Sequence, residues 1–470
     1  MMHLLSREPE VLNLGLASFA DDIISAGATA HQLNWHPPAN GDAAAGWQLA
    51  KLMGDDRVTE ANKIAFDRYL SAQPRLVDVA LASDVIDDMA TTRLILHAGP
   101  PIAFADMCGP MRGAITGAIL YEGWAASEEE ALALADSGEI RFAPCHHYGA
   151  VGPMAGVISP SSPLWQVENV TSGNRAYSNF NEGLGKVLRF GANGPEVIER
   201  LRWMRDELFP AMRGAVRHIG GIDLKPIMAQ ALLMGDEIHN RNAAATGLLF
   251  KQLVPALLAT DLPTGQVQRS IDFIAGNDHF FLNLSMAASK AMLDAATGVP
   301  GSSMVTVMAR NGINFGIRLS GTGDQWFQAP ANPIDGLFFP GYGIDDAAPD
   351  LGDSAITETA GVGGFAMAAA PAIVQFVGGT PADATAHSRR MRTITLGTNP
   401  VFSLPALDFA GSAAGIDALA VLDSGTLPVI NSGIAHRKAG VGQIGAGITS
   451  APQACFAEAV AALAENLTND

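Results

Sequence analysis

The first hundred residues alternate short apolar runs with an amphipathic segment, a pattern typical of an α/β domain. Residues 10–17 (EVLNLGLA) predict a buried strand, the FADDIISAG segment a helix, and residues 30–35 (AHQLNW) a second strand. A strand, a helix and a strand within about 30 residues make a βαβ unit with parallel strands. Apolar runs at 75–83 and 93–99 predict two more strands. Residues 1–105 are therefore predicted to form a Rossmann-like domain, although the GxGxxG dinucleotide fingerprint is missing.

The middle of the chain passes from helices to an irregular stretch and back to helices. Residues 106–125 predict a helix opened by glycine, and Ser127 predicts the N-cap of the next helix. Residues 141–195 are dense in Gly, Pro, Asn and His without periodicity, which predicts a long functional loop. Pro195 predicts the first turn of a helix, and residues 195–295 are predicted to be mainly helical.

The last third returns to strand-like patterns. Residues 302–321 predict a strand hairpin with Asn311-Gly312 at its turn, and residues 393–436 contain several short strand candidates. A chain of 470 residues is too long for one core. We predict an α/β chain (α+β overall) with a Rossmann-like N-terminal domain, a helical middle and a mixed α+β C-terminal domain, at 1–105, 106–300 and 301–470.

Composition and charge narrow the classes of partner. The formal net charge of -18 disfavours nucleic acid and anionic membranes as partners. Residues 175–225 hold nine Lys/Arg against six Asp/Glu, a positive island suited to a small anionic substrate. Three scattered cysteines favour a reducing compartment. The start of the chain has no secretory pattern and no apolar run reaches the ~20 residues of a membrane helix, so we expect a cytoplasmic protein. Trp35 and Trp47 are predicted to be core residues.

No single motif dictates a reaction, since P-loop, HExxH, GxSxG and CxxC patterns are all absent. Histidine is the natural proton carrier near neutral pH, and four histidines lie in polar clusters. Asp236, His239 and Asn240 are predicted to share one helix face at i, i+3 and i+4, where the carboxylate would orient the imidazole or join it on a metal. The alternative interpretation is that these histidines are buried structural residues and that their polar neighbours cap helices. The candidate catalytic residues are His146, His147, His239, His279, Asp236 and Asp278.

A second set of residues could bind an anionic substrate. Arginine grips a carboxylate with two hydrogen bonds, lysine supplies a point charge, and asparagine amides supply donors. The alternatives are turn chemistry, surface salt bridges and hairpin structure. The candidate substrate-binding residues are Arg112, Arg175, Asn181, Glu182, Lys186, Asn240, Asn277 and Arg310. No metal ligand set is predicted, although a divalent metal is compatible with the histidine clusters.

Several long strings carry a family resemblance. They are HAGPPIAFADMCGPMRGA, APCHHYGAVGPMAGVISP, NEGLGKVLRFGANGPEVIERLRWMRD, MGDEIHNRNAA, AGNDHFFLNLSMAASKA and GDSAITETAGVGGFAMAAAPAIVQFVGGT. They resemble the AllG (YlbE-like) family from about residue 10 to about residue 440. Family members are typically encoded beside FdrA-like proteins, which are similar to acyl-CoA synthetase subunits.

The resemblance implies a reaction class. One branch of the family is implicated as a subunit of oxamate carbamoyltransferase in allantoin breakdown, where N-carbamoyl-oxamate (oxalurate) and phosphate give oxamate and carbamoyl phosphate. It implies a small anionic substrate, phosphate as co-substrate and an FdrA-like partner subunit. We also expect a homo-oligomer. Two other readings stay open: a non-catalytic scaffold subunit of an FdrA-like complex, and a metal-dependent hydrolase or lyase.

Overall fold

The computed structural model describes residues 10–33, 35 and 37–469. The strands are β1 (Glu10–Leu14), β2 (Thr29–Leu33), β3 (Pro74–Leu81), β4 (Leu94–His97), β5 (Arg141–Pro144), β6 (Ala150–Val151), β7 (Pro163–Asn169), β8 (Arg175–Asn179), β9 (Ile222–Asp223), β10 (Val305–Asn311), β11 (Asn314–Leu319), β12 (Phe327–Pro330), β13 (Asp335–Phe338), β14 (Leu351–Gly352), β15 (Thr395–Leu404), β16 (Ala410–Ile416), β17 (Val429–Ala435) and β18 (Gln443–Ser450). The helices are α1 (Ala17–Ser25), α2 (Ala43–Leu52), α3 (Asp56–Ser71), α4 (Ala82–Val85), α5 (Asp87–Thr91), α6 (Gly109–Tyr121), α7 (Glu128–Asp136), α8 (Pro195–Trp203), α9 (Phe209–Ile219), α10 (Leu224–Leu233), α11 (Ala243–Leu258), α12 (Thr264–Ala275), α13 (Leu282–Asp294), α14 (Ile356–Thr359), α15 (Val374–Val377), α16 (Pro381–Arg390), α17 (Ala418–Ser424) and α18 (Gln453–Asn469). Helices and several small sheets together confirm the predicted α/β class.

The N-terminal βαβ unit is confirmed, with β1 and β2 paired in parallel across α1. The other strands of the predicted Rossmann-like region join different sheets: β3 pairs with β7 and β9, and β4 pairs with β5. The two domain boundaries, near residues 105 and 300, stay predictions. The core assignment of two tryptophans is wrong, because Trp35 is 67% and Trp47 is 72% exposed.

The prediction of one long loop over 141–195 is wrong, because the segment contains β5 to β8. β7 and β8 lie inside a five-stranded sheet of order β6-β8-β7-β3-β9. β7 is buried on both faces, with Trp165 and Val167 fully enclosed. A strand without a solvent face shows no alternation of polar and apolar residues, so its period is hidden in the sequence.

The helical middle forms as predicted and surrounds a buried helix. The Ser127 hydroxyl accepts the backbone N–H of Glu130 at the start of α7, which confirms the predicted cap. Pro195 opens α8, and α9 ends at Gly220 in a left-handed conformation. Every residue of α13 from Leu282 to Leu293 is buried. This helix packs against β7 and β8 on one side and α14 on another.

The C-terminal third holds an antiparallel sheet of order β12-β11-β10-β14 and a second one of order β13-β18-β17. The predicted hairpin is β10–β11, and Gly312 at its turn has φ +81°. A Cβ on Gly312 would lie 2.4 Å from the Cys108 sulfur, so a side chain is excluded there. The glycine-bounded stretch after Val362 forms short 3₁₀ turns and α15 rather than one helix.

A buried ion pair joins the two C-terminal sheets. The Arg310 guanidinium on β10 donates to both Asp350 carboxylate oxygens, at 2.7 and 3.0 Å, and to the Gly352 carbonyl at 2.8 Å. Ser432 on β17 donates to the same Asp350 carboxylate at 2.8 Å. Both charged side chains are almost fully buried. A buried charge that loses its partner is strongly destabilising, so the pair is a structural requirement.

Replacing Arg310 with Met should lower the free energy of unfolding by about 3–5 kcal/mol, because Asp350 would remain buried and unpaired. Urea denaturation followed by circular dichroism measures this loss. Arg175→Met is the matched control, since Arg175 makes a half-exposed pair with Glu168 and should change stability by less than about 1 kcal/mol. Equal losses in the two variants would contradict the assignment.

Candidate functional site

One small cavity brings together three of the polar clusters identified in the sequence. It is lined by Pro153, Met154, Leu184, Arg189, Phe190, His239, Asn240, His279, Leu282, Ser354, Gly433 and Gln443. Its volume is about 20 Å³, roughly the space of one water molecule. Larger grooves of about 370 to 560 Å³ lie elsewhere on the surface. We favour the small cavity because buried polar groups without partners meet there.

The loop that carries His239 was predicted to be helical, and that prediction is wrong. Residues 234–242 form a turn between α10 and α11, in which Gly235 has φ +94° and Ile238 φ +70°. The Glu237 carboxylate accepts the backbone N–H groups of His239, Asn240 and Arg241. These local side-chain bonds replace the helical ones and hold the loop in shape.

His239 is held by a buried carboxylate. Its Nδ1 lies 2.8 Å from Oε1 of Glu358 on α14. Glu358 also accepts the Gly364 N–H at 2.7 Å and the Thr357 hydroxyl at 3.0 Å. A carboxylate accepts only, so the Nδ1–H is the donor of this hydrogen bond and Nε2 is the ring nitrogen that Glu358 leaves free. The pair is therefore suited to proton transfer at Nε2.

A chain of asparagines positions the turn that carries His279. Asn181 donates to the Asn283 amide oxygen at 2.9 Å, Asn277 donates to the Asn181 carbonyl at 3.0 Å, and Asn277 accepts the His279 N–H at 3.1 Å. The amides of Asn181 and Asn277 are thus occupied within the protein. Burial lowers the pKa of His279 to about 4, so its ring is neutral at pH 7.

Arg189 brings a positive charge to the cavity. It is only 7% exposed and donates to the Gly183 carbonyl at 2.7 Å, but its Nε has no hydrogen-bond partner among the described residues. Glu182 accepts the backbone N–H groups of Leu188 and Arg189. Burial lowers the pKa of Arg189 to about 10 and raises that of Glu182. Arg189 stays charged at pH 7 with donor capacity to spare.

His146 and His147 lie apart from this cavity. His146 is fully buried with Nε2 3.5 Å from Asp353 Oδ1, and both ring nitrogens lack a hydrogen-bond partner within the described part of the chain. Asp353 accepts the N–H groups of Gly99 and Gly152. His147 accepts the Trp326 indole N–H at 2.8 Å. Burial lowers the pKa of both histidines, that of His147 to about 4.

Most of the predicted clamps are engaged elsewhere. Arg112 donates to the Phe104 carbonyl and stacks on its ring, and Arg310 is saturated by Asp350 and its neighbours. Arg175 pairs with Glu168 on the surface, and Lys186 is exposed. None of these four side chains lines the cavity.

The two predicted catalytic aspartates do not line the cavity either. Asp236 is buried and accepts the Ala245 N–H in the first turn of α11, while Asp278 is exposed. Of the candidate residues, His239, Asn240 and His279 do line it, and Glu182 and Asn277 support it from behind. The roles assigned to all of these residues stay predictions.

Two residues of the site, Arg189 in the lining and Glu358 behind it, are not among the candidate residues of the sequence analysis. Arg189 lies in the string GKVLRFG, where a lone arginine among apolar residues signals a buried charge. Glu358 lies 119 positions after His239, and no local spacing links the two. The local signal for Glu358 is a carboxylate within the polar string TET.

Comparison with known proteins matches the region that forms the cavity. Residues 140–354 match the family model described as "Oxamate carbamoyltransferase subunit AllG", and only Gly433 and Gln443 of the lining lie outside it. The chain is 49% identical over 412 residues to "Oxamate carbamoyltransferase subunit AllG" of Escherichia coli (strain K12), covering 87% of this chain and 98% of that protein. The chain belongs to the AllG family.

Two further relatives of this AllG-family chain carry no assigned activity. It is 48% identical over 460 residues to the "Uncharacterized protein YahG" of Escherichia coli (strain K12), covering 97% of each chain. A crystal structure of a conserved protein of unknown function from Enterococcus faecalis V583 superposes with a TM-score of 0.86, at 49% identity, over 87% of this chain and 98% of the other.

The described residues also limit two other kinds of site. Within 10–33, 35 and 37–469, no group of three or more His, Cys, Asp or Glu side chains is arranged to hold a metal ion. Over the same ranges, no helix has the length and apolar character needed to span a membrane.

The pH dependence of stability should reveal the buried Glu237 of this AllG-family chain. Burial raises its pKa from 4.5 to about 7, so the unfolded chain loses this proton first. The contribution of Glu237 to the free energy of unfolding is fully present below pH 4.5. It is lost as the pH rises to 7, which lowers that free energy by roughly 3 kcal/mol. Glu237→Gln should remove this fall.

Denaturation of both proteins at pH 5, 6, 7 and 8 measures the effect as the difference between their unfolding free energies. That difference should move in favour of the variant as the pH rises from 5 to 7. A constant offset across the series would contradict the raised pKa. The lowered pKa of His279 acts in the opposite direction in both proteins and cancels in the difference.

Proposed function

We propose that the chain is a subunit of a carbamoyltransferase that converts oxalurate and phosphate to oxamate and carbamoyl phosphate. It would act in the cytoplasm with an FdrA-like partner subunit, as a homo-oligomer. The name of the AllG relative supports the reaction class and the assignment of the chain as one subunit of a complex. The convergence of Arg189, His239 and Asn240 on one cavity within the matched region supports the location.

The reaction makes definite demands on a site. A phosphate oxygen attacks the carbamoyl carbon, the carbonyl becomes a tetrahedral oxyanion, and the bond from that carbon to the oxamate nitrogen breaks. The departing nitrogen must gain a proton. A cation must hold the oxalurate carboxylate, and hydrogen-bond donors must meet the oxyanion.

Three residues at the cavity support this proposal. Arg189 is charged, and its Nε has no partner among the described residues, which suits the carboxylate. The Asn240 side-chain N–H₂ group has no partner within the described residues and suits the oxyanion. His239, oriented by Glu358, would accept a proton from the attacking phosphate at Nε2 and pass it to the departing nitrogen. Because the reaction needs no covalent intermediate, the missing nucleophile motif is consistent with it.

The size of the cavity sets a further condition. At about 20 Å³ it is too small for oxalurate, so a lining segment must move for substrate to enter. The segment around Leu184 is the best suited, because Leu184 is 59% exposed and lies between Gly183 and Gly185, both with φ near +90°. Such closure over substrate excludes water from the reacting groups.

His239→Asn should lower the rate of carbamoyl phosphate formation by about 10²–10⁴-fold, because the proton carrier is lost. The assay follows oxalurate phosphorolysis with the chain alone and with its FdrA-like partner co-expressed. His147→Asn is the control and should keep most of the activity, since His147 lies outside the cavity. An unchanged rate in His239→Asn would refute the site. No turnover by the wild-type complex would favour a scaffold role or another reaction.

Arg189→Met should raise the KM for oxalurate at least tenfold, since a charge-assisted hydrogen bond to the substrate is lost. The measurement is a full saturation curve with the complex. Arg175→Met should leave KM unchanged, because Arg175 pairs with Glu168 on the surface. If Arg175→Met has the larger effect, the substrate binds at the surface island and not in the cavity.

A further inference from the structure

The charge of the cavity restricts which substrate it can take. Arg189 is its one lysine or arginine among the described lining residues. The two lining histidines add no cation at neutral pH that is free for an anion, because His279 is neutral and His239 is engaged by Glu358. Two carboxylates, Glu182 and Glu358, lie directly behind the lining. Arg189 is therefore the one lining cation that can meet an anion, and the carboxylates behind it offset part of its charge.

The neighbouring arginines do not supply a second positive charge to the cavity. Arg310 approaches the Ser354 hydroxyl at 3.5 Å, but Asp350 already takes its charge. The Arg241 Nε donates to the Gly235 carbonyl, and its side chain is exposed. A phosphate dianion in the cavity would therefore be buried without a full counter-charge, which proteins avoid.

The donors of the cavity fit a planar carboxylate and amide. The Arg189 Nε has no partner in the described part of the chain, and a guanidinium matches a carboxylate edge. The Asn240 N–H₂ group likewise lacks a partner there, and Ser354 and Gln443 add polar side chains to the lining. These neutral hydrogen-bonding groups can replace the water that an amide loses on binding. They cannot compensate a more highly charged anion, because its desolvation costs far more.

We infer that the cavity is half of a shared site: it holds the singly charged carboxylate–amide part of the substrate, and phosphate is bound by another chain. This inference rests on the proposed function. Of the two substrates in that reaction, oxalurate binds to this chain and phosphate binds to another subunit. The isolated chain then binds oxamate but not phosphate, and phosphorolysis requires the complex. Lys186 is exposed two positions after Leu184, which lines the cavity.

Isothermal titration of the isolated full-length chain with oxamate and with inorganic phosphate tests the division. Oxamate should bind at least tenfold more tightly than phosphate, and Arg189→Met should weaken oxamate at least tenfold. Asn240→Asp is a second variant of nearly the same shape, and it should also weaken oxamate because its charge repels the carboxylate. Arg175→Met should bind oxamate like the wild type. Thermal melts confirm that each variant is folded.

Two results would overturn the inference. The first is phosphate binding to the isolated chain as tight as oxamate binding and lost in Arg189→Met. The second is oxamate binding that is absent from both the chain and the complex while the complex turns over oxalurate. The proposed function itself fails differently, when the wild-type complex forms no carbamoyl phosphate although oxamate binds.

Discussion

The complete burial of α13 is the constraint on which the candidate site depends. A helix buried from Leu282 to Leu293 leaves no water to satisfy the polar groups at its N-terminal end. The Asn283 side chain on this helix bonds to Asn181 and Asn179, and Asn277 donates to the Asn181 carbonyl, which fixes the 179–183 loop and the His279 turn against each other. The cavity lies where these loops meet the His239 turn. Its shape therefore depends on how the buried Asn283 side chain is satisfied.

Buried charges divide into two kinds in this acidic chain. Arg310 is neutralised by Asp350 and also bonded to Gly352, so it joins sheets and has no bonding capacity left over. Arg189 is buried beside Glu182 and lines the cavity, and its Nε has no hydrogen-bond partner among the described residues. Incomplete satisfaction of a buried charge is costly, so such a group is a candidate for ligand binding. By the same criterion, His146 is an unsatisfied buried group whose role the cavity does not explain.

Sequence patterns predicted the elements with a solvent face or a turn signal. The Ser127 cap, the Pro195 start, the Asn311-Gly312 hairpin and the parallel β1–β2 pair all follow from local chemistry. The sequence does not reveal β7, because the strand is buried on both faces. The His239 turn has a helix-like pattern, but the Glu237 carboxylate accepts backbone N–H groups there in place of helical carbonyls. His239, Asn240 and His279 could be named as candidates from their polar clusters. Arg189 and Glu358 could not, because distant segments bring them there.

The sequence by itself determined the family, the α/β class, the acidic charge and the polar strings in which a site would lie. These properties depend on local periodicity, composition and motif identity, which survive without a fold. The tertiary structure decided which polar residues meet. It pairs His239 with Glu358 across 119 positions, places Arg189 beside them, and occupies Arg310 with Asp350. Such pairings depend on long-range packing around α13, and no local spacing encodes them.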